Sequence, residues 1–267
     1  EDLSERPFSR SEIMVLDLAD QSIRPLVEGR WLGAASWSPD GKRVLIQAGP
    51  SAFDNAGNVL PDGVIPNDYD TQLYILDPES GGVEPITRNF APSVNSAFWA
   101  PFDGKIYIVA RDGEFVRLFR FDPGTGTFAA LDTGAEVLGS TSFARSKAVA
   151  VYSGSGADSP HRVYSLRLGG RRPEARMILD PNAELFRNVA LGRVEAWNFV
   201  AGNGETLTGR VHYPPGFDPG RRYPCIVYYY GGTSPVDRAF GGRYPKNLWA
   251  AHGYVVYVLQ PSGATGF

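Results

Sequence analysis

Cysteine, histidine and carboxylate side chains are among the residue types that could act as nucleophiles, bases or metal ligands. The single cysteine, Cys225, lies in the apolar run Tyr-Pro-Cys-Ile-Val, which favours a small buried side chain over a reactive thiolate. The histidines, His161, His212 and His252, are too far apart in the sequence to predict a metal site, and the carboxylates of residues 54–70 lack the spacing of a calcium loop. We therefore expect no metal and no cofactor.

A serine nucleophile of an α/β enzyme commonly lies in a Gly-x-Ser-x-Gly turn between a strand and a helix. That pattern does not occur in the sequence. The nearest candidates, Gly154-Ser155-Gly156 and Gly139-Ser140-Thr141-Ser142, lack the flanking strand and helix patterns. His252 precedes a predicted helix-to-strand junction, which favours a capping or surface role. The sequence therefore assigns no nucleophile, acid or histidine of a catalytic triad to this chain.

Composition predicts a soluble globular chain that does not bind nucleic acid. The 267 residues are 43% hydrophobic and 21% charged, which suits one or two domains with a sizeable core. The net charge of −3 leaves no basic surplus to neutralise phosphates. No apolar run reaches the roughly 18 residues that span a bilayer. The compartment, cytoplasmic or exported after removal of a leader, and a homo-oligomeric state both stay open.

Short repeated strands occupy the first two thirds of the chain. The 31 glycines and 21 prolines predict many turns. Similar strand-and-turn segments recur about every 45 residues once an insertion near residues 50–68 is set aside. The segments are Ile13-Met14-Val15-Leu16, Leu73-Tyr74-Ile75-Leu76, Leu118-Phe119-Arg120-Phe121 and Val163-Tyr164-Ser165-Leu166. This period is typical of β-propeller blades built from four antiparallel strands, in which Trp37, Trp99 and Phe143 are interpreted as packing residues.

The pattern changes near residue 192. Two short strands on either side of Gly202-Asn203-Gly204 predict a hairpin. An unbroken apolar strand over residues 224–230, a helix over 246–252 and a strand over 254–259 indicate the start of a parallel sheet with both faces covered. We therefore divide the chain into a partial β-propeller of about four blade units, residues 1–191, and the first part of an α/β domain, residues 192–267.

Four motifs follow one another in this second part. They are Leu-Thr-Gly-x-Val-x-Tyr-Pro-Pro from Leu207, Tyr-Pro-x-Ile-Val-x-Tyr-x-Gly-Gly from Tyr223, Gly-Tyr-Val-Val from Gly253, and Gly-Ala-Thr-Gly-Phe ending at Phe267. Their order, after propeller-like repeats, resembles the prolyl oligopeptidase family of serine peptidases, of the dipeptidyl-peptidase or acylaminoacyl-peptidase type. In that family a propeller of seven or eight blades caps an α/β-hydrolase domain. The resemblance implies that residues 192–267 begin such a domain and stop before the nucleophile elbow.

Tyr230 with Gly231 and Gly232 resembles the family's strand-end Tyr-x-Gly or His-Gly-Gly-Pro element, whose loop forms the oxyanion hole. The resemblance implies that Tyr230 is an oxyanion donor and that the two glycines supply the loop backbone. A phenol with the ordinary pKa near 10 stays protonated at neutral pH, and glycines let the backbone turn tightly beside a substrate. Thr233 replaces the family's usual proline, and Tyr228, on the same face of the strand, is the alternative donor.

Residues 260–267 resemble the family's Arg-Gly-Ser-x-Gly-Tyr loop, with Ser262 in place of the arginine. We interpret this loop as structural.

The resemblance implies part of a serine peptidase that cleaves short peptides through an acyl-enzyme, with the propeller limiting access to the site. Because the family's triad lies beyond these motifs, we expect this chain alone to be inactive. Its expected partners are a short peptide substrate and the remaining part of the hydrolase domain. The alternative is a non-catalytic β-propeller binding or scaffold module with a degenerate α/β segment. Substrate preference, and the choice between exopeptidase and endopeptidase, stay open.

Overall fold

The computed structural model describes residues 10–169 and 172–266, which are mostly β structure with few helices. Phe267, the last residue of the Gly-Ala-Thr-Gly-Phe motif, lies outside the described residues. The strands are β1 (Ser11–Leu16), β2 (Ile23–Gly29), β3 (Leu32–Trp37), β4 (Val44–Ala48), β5 (Gln72–Leu76), β6 (Val83–Pro85), β7 (Ser93–Trp99), β8 (Ile106–Asp112), β9 (Phe115–Asp122), β10 (Thr127–Leu131), β11 (Val137–Phe143), β12 (Val149–Gly156), β13 (Ser159–Arg167), β14 (Glu174–Leu179), β15 (Val194–Ala196), β16 (Phe199–Val200), β17 (Thr206–Leu207), β18 (Gly209–His212), β19 (Cys225–Tyr228) and β20 (Val255–Leu259). The helices are α1 (Ala52–Asn55), α2 (Ala183–Phe186) and α3 (Lys246–Ala251). Within the described ranges, no helix has the length and apolar character needed to cross a membrane.

The chain divides into two compact units. The first contains the described residues up to Ala110 together with Phe119–Ala129. The second contains Arg111–Leu118 and the described residues from Ala130 onward. Strands β8 and β9 therefore contribute residues to both units. The domain boundary expected near residue 191 is based on a change in the sequence pattern, and it stays a prediction.

The first unit consists of strands that pair with their neighbours in the chain. Strands β3 to β6 form a four-stranded antiparallel sheet in sequence order, and β1 pairs with β2 as a separate antiparallel ribbon. Gly41 (φ +70°) and Gly104 (φ +69°) take the left-handed conformation in the turns that precede β4 and β8. Glycine adopts this conformation without steric cost, which is why the Asp-Gly sequences predict these turns.

Apolar side chains fill the interior of the first unit. Ile106 and Ile108 are fully buried in one cluster with Phe121, and Trp99 is buried there as predicted. The interpretation of Trp37 as a packing residue is wrong, because this side chain is 46% exposed. Trp37 ends β3, an outer strand of its sheet whose residues are mostly exposed.

The second unit contains two larger sheets. Strands β11 to β14 pair antiparallel in sequence order. The other sheet has the order β15-β18-β20-β19, in which β18 is antiparallel to β15 and β20, and β19 is parallel to β20. Helix α3 lies in the chain between β19 and β20, as a parallel pair requires a crossover. Strands β16 and β17 pair antiparallel on either side of Gly202-Asn203-Gly204, which confirms the predicted hairpin. The predicted helix and the parallel pair are confirmed as well. The expectation that both faces of this sheet are covered is wrong at β19.

Strand β19 lies at an edge of its sheet, and this position overturns the expectation for Cys225. The thiol was expected to be buried, but Cys225 is exposed. Side chains alternate along a strand, so Cys225 and Val227, which is also exposed, share one face, whereas Ile226 and Tyr228 lie half-buried on the other. An apolar run shows that a strand forms and does not show whether both of its faces are covered.

Candidate functional site

Tyr230 lies directly beyond the carboxyl end of β19. The strand ends at Tyr228, and Tyr229 and Tyr230 follow with side chains that are 65% and 52% exposed. A Cβ atom on Gly232 would overlap Cε1 of the Tyr230 ring, so the ring lies against the Gly232 backbone. Only glycine permits this approach. The Tyr230 hydroxyl is therefore on an accessible ring beside a glycine turn.

Tyr228, the alternative donor, is engaged in packing. Its ring centroid lies 5.1 Å from that of Tyr244 and 6.1 Å from that of Trp249, and Lys246 Nζ is 4.7 Å from the ring centre. Burial raises the pKa of the Tyr228 hydroxyl, and burial lowers the pKa of Lys246 to about 8. These contacts give Tyr228 a structural role and leave Tyr230 as the more accessible of the two hydroxyls. No observation tests the catalytic assignment of Tyr230, which stays a prediction.

The loop after β20 lies beside the segment that follows Tyr230. The Thr265 amide donates a hydrogen bond to the Thr233 carbonyl at 2.7 Å. The Gly113 amide donates to the Gly266 carbonyl at 3.0 Å. Ala264 and Thr265 are buried, whereas Ser262, at the position of the family's arginine, is exposed. The loops that leave the parallel strands β19 and β20 therefore contact each other at the carboxyl edge of the sheet.

A charge cluster centred on a buried arginine, which we call the Arg210 cluster, lies at this edge and was not found by sequence reasoning. It consists of Arg210, Glu114, Arg238 and Glu136. Nη1 of Arg210 lies 2.5 Å from Oε2 of Glu114, and Nη1 of Arg238 lies 2.6 Å from Oε1 of the same carboxylate. Nη2 of Arg238 lies 2.9 Å from Glu136. The side chain of Arg210 is 1% exposed.

The charges of this cluster depend on one another. Burial favours the neutral form of Glu114, but the adjacent guanidinium groups of Arg210 and Arg238 outweigh it and hold the pKa of Glu114 below its ordinary value. Burial lowers the pKa of Arg210, and the charge of Glu114 opposes this shift. Buried charges are tolerated when they are paired and hydrogen-bonded. The sequence signal was slight: Arg210 and His212 alternate with apolar positions in a short strand.

His212, on the same face of β18 as Arg210, is a buried neutral base. Nε of Arg210 donates to Nε2 of His212 at 3.3 Å, so Nε2 is the unprotonated nitrogen. Nδ1 then donates to Oδ1 of Asn247 at 3.1 Å, and Nδ2 of Asn247 donates to the Ala157 carbonyl at 2.8 Å. Burial, and then the charge of Arg210, lower the pKa of His212 to about 4. His212 therefore links β18 to α3 structurally.

The free energy of unfolding should decrease as the pH is lowered from about 6.5 to about 4. Above pH 6.5 His212 is neutral in the folded and the unfolded chain alike. Within the window the unfolded chain binds a proton that folded His212 does not, which costs up to about 1.4 kcal/mol per pH unit. In urea denaturation at pH 7, 6 and 5, the free energy of unfolding should fall more steeply with decreasing pH for the wild type than for His212→Gln. An equal dependence on pH in the two proteins would contradict this role of His212.

An open cavity of about 560 Å³ borders the Arg210 cluster. Its walls include Glu114, Phe115, Arg238, Asn198 and Gly266. The guanidinium carbon of Arg238 lies 5.2 Å from the centre of the Phe115 ring. The volume lies within the range of small-molecule sites. Tyr230 is not among its lining residues.

Comparison with known proteins gives sequence relationships that extend over most of the chain. The chain is 24% identical over 239 residues to dipeptidyl-peptidase 5 of Porphyromonas gingivalis. The aligned region covers 85% of this chain and 34% of that protein. The chain thus spans about a third of the length of this relative. No family model matches the chain.

Solved structures share the fold. The acylaminoacyl peptidase of Pyrococcus horikoshii matches with a TM-score of 0.73 at 21% identity, covering 98% of this chain and 37% of that one. An acylaminoacyl peptidase in complex with Z-Gly-Gly-Phe-chloromethyl ketone matches with a TM-score of 0.61 at 16% identity, covering 97% of this chain and 55% of that one. Together, these relationships confirm the resemblance of the chain to the prolyl oligopeptidase family of serine peptidases.

Proposed function

We propose that this chain is part of a serine peptidase that cleaves short peptides through an acyl-enzyme. In this proposal residues 1–191 are propeller blades that limit access to the active site. Residues 192–267 are the N-terminal part of an α/β-hydrolase domain, and Tyr230, Gly231 and Gly232 form its oxyanion hole. The four-stranded antiparallel sheet β3–β6 and the parallel pair β19–β20 support the two parts of the proposal.

The observation that carries the proposal is the contact between the loops that follow β19 and β20. The Thr265 amide and the Thr233 carbonyl join them at 2.7 Å. Ligands of open α/β sheets bind outside the carboxyl ends of the strands. Both family motifs, the tyrosine-glycine turn and the glycine-rich loop at 263–266, therefore lie at the edge where the chemistry of such a fold is expected.

The role of this chain in the reaction is to stabilise charge. A serine outside these motifs attacks the peptide carbonyl carbon, its proton passes to a histidine, and the carbonyl oxygen becomes negative. The Tyr230 hydroxyl and the backbone of the Gly231-Gly232 turn donate hydrogen bonds to that oxygen. The C–N bond then breaks, the amine leaves with the proton from the histidine, and water releases the acyl group.

Substrate assays of the full-length protein that carries this chain test the proposal. We expect hydrolysis within a panel of chromogenic dipeptides with free amino termini and chromogenic N-acylated amino acids, because the sequence relative is a dipeptidyl-peptidase and the structural relative an acylaminoacyl peptidase. A fluorophosphonate probe should add once, to a serine, and abolish this hydrolysis. Mass spectrometry locates the adduct, and heat-denatured protein serves as the unlabelled control.

The outcome also bears on the scaffold alternative. A full-length protein that hydrolyses no member of the panel and takes up no fluorophosphonate would contradict the peptidase proposal. The comparisons do not favour the scaffold, since the named relatives are peptidases.

A further inference from the structure

The segment from Thr233 to Arg238, which follows the candidate oxyanion turn, has no helix or strand of its own. We call it the 233–238 segment. Without a regular backbone ladder, its position depends on hydrogen bonds to other parts of the second unit. Because it begins directly after Gly232, whatever holds it also restricts the oxyanion turn.

Val236 is held through both of its backbone groups. Its amide donates to Oε1 of Gln260 at 2.9 Å, and its carbonyl accepts from Nε2 of the same side chain at 2.5 Å. Nη1 of Arg210 donates to the Val236 carbonyl as well, at 2.9 Å. Gln260 and Arg210 are both almost fully buried. Two buried side chains therefore converge on one residue of the segment.

Arg210 reaches further along the segment and is itself held from behind. Its Nη2 donates to the Asp237 carbonyl at 2.5 Å, while Nη1 pairs with Glu114. Nε donates to His212, so all three guanidinium nitrogens have partners. A buried guanidinium is stable only when its donors are satisfied, so Arg210 and the 233–238 segment stabilise each other in this position.

We propose that Arg210 is a positioning residue for the candidate oxyanion turn. It acts through the carbonyls of Val236 and Asp237, with Gln260 as the second contact, and it does not touch the reacting atoms. The expected effect on catalysis rests on the proposed function. That Arg210 holds the 233–238 segment in place can be measured independently of activity.

The first test is Arg210→Met in the full-length protein. We expect kcat for peptide hydrolysis to fall about 10- to 100-fold with KM within about twofold, because a small displacement of a group that acts in the transition state lowers kcat. Hydrogen exchange of the amides in the 233–238 segment should become faster. Arg210→Lys keeps the charge but not the branched set of donors, so we expect only partial recovery.

The matched control is Arg162→Met. Arg162, on β13, also pairs with a carboxylate, that of Asp180 at 2.7 Å, and it donates a further hydrogen bond to Ser159. This variant should leave kcat and the exchange of the 233–238 segment unchanged. Gln260→Leu removes the second contact without changing the charge, and it should shift kcat and exchange in the same direction as Arg210→Met. If Arg210→Met does not fold, kcat and hydrogen exchange of Gln260→Leu test the proposal instead.

A double variant separates positioning from a general loss of stability. If Arg210 acts through the oxyanion turn, Arg210→Met combined with Tyr230→Phe should lower kcat little beyond the more damaging single change. The proposal would be overturned if the loss of kcat in the double variant equalled the product of the losses in the two single variants. It would also be overturned if Arg210→Met folded and kept wild-type kcat and wild-type hydrogen exchange. If Tyr230→Phe alone leaves kcat unchanged, the assignment of Tyr230 fails. Hydrogen exchange in Arg210→Met then tests the structural claim. Faster exchange of the 233–238 amides supports the claim that Arg210 holds the segment, and unchanged exchange refutes it.

Discussion

Tyr230→Phe in the full-length protein should lower kcat for peptide hydrolysis by about 10²- to 10³-fold. The substitution removes only the hydroxyl, which we propose donates to the oxyanion. KM should change little, since the hydrogen bond is strongest when charge develops on the carbonyl oxygen. Because Tyr230 is 52% exposed, the free energy of unfolding should change by less than about 0.5 kcal/mol.

Two neighbouring tyrosines provide matched controls for this experiment. Tyr229→Phe removes a hydroxyl from a still more exposed side chain, and we expect kcat to be unchanged. Tyr228→Phe alters a ring that packs against Tyr244 and Trp249, and it should affect kcat less than Tyr230→Phe. A large loss of kcat in Tyr228→Phe with none in Tyr230→Phe would assign the donor to Tyr228 instead.

Glu114→Gln should lower the free energy of unfolding by about 3–5 kcal/mol. The change removes the carboxylate that pairs with both Arg210 and Arg238, so the buried guanidinium of Arg210 loses the negative charge that it contacts directly. An unpaired buried charge is among the most destabilising changes that a single substitution makes. Urea denaturation at pH 7, followed by tryptophan fluorescence, measures the difference.

The control for Glu114→Gln is Glu184→Gln. Glu184 pairs with Arg187 on the surface, where the two side chains are 81% and 67% exposed, so its loss should cost at most about 1 kcal/mol. The pH dependence is a second check. Since the pKa of folded Glu114 lies below its ordinary 4.5, the stabilisation is present above pH 4.5 and is lost as the pH falls below it. A cost of less than about 1 kcal/mol for Glu114→Gln would show that the cluster is not a major source of stability.

Local sequence patterns predicted the elements that carry the candidate site. The run from Pro224 predicted β19, and the pattern near Lys246 predicted α3, because apolar spacing and glycine positions reflect the periodicity of the backbone itself. The Asp-Gly turns were predicted for the same reason. These features depend on residues within a few positions of each other.

Exposure was harder to predict. Cys225 and Trp37 both lie in patterns that favour burial, yet both are exposed, because β19 and β3 are outer strands of their sheets. The order of strands in a sheet is decided by pairing between segments, and it cannot be read from one segment alone.

By itself, the sequence determined the kinds of strands and turns, the change of pattern near residue 192 and the tyrosine-glycine motif at Tyr230. Only the tertiary structure decided that Glu114, 96 positions before Arg210, forms its counter-charge, and that Arg210 and Gln260 converge on Val236. The physical reason is that a strand follows from local backbone periodicity, whereas a buried charge is stable only where the fold brings distant partners within hydrogen-bonding distance.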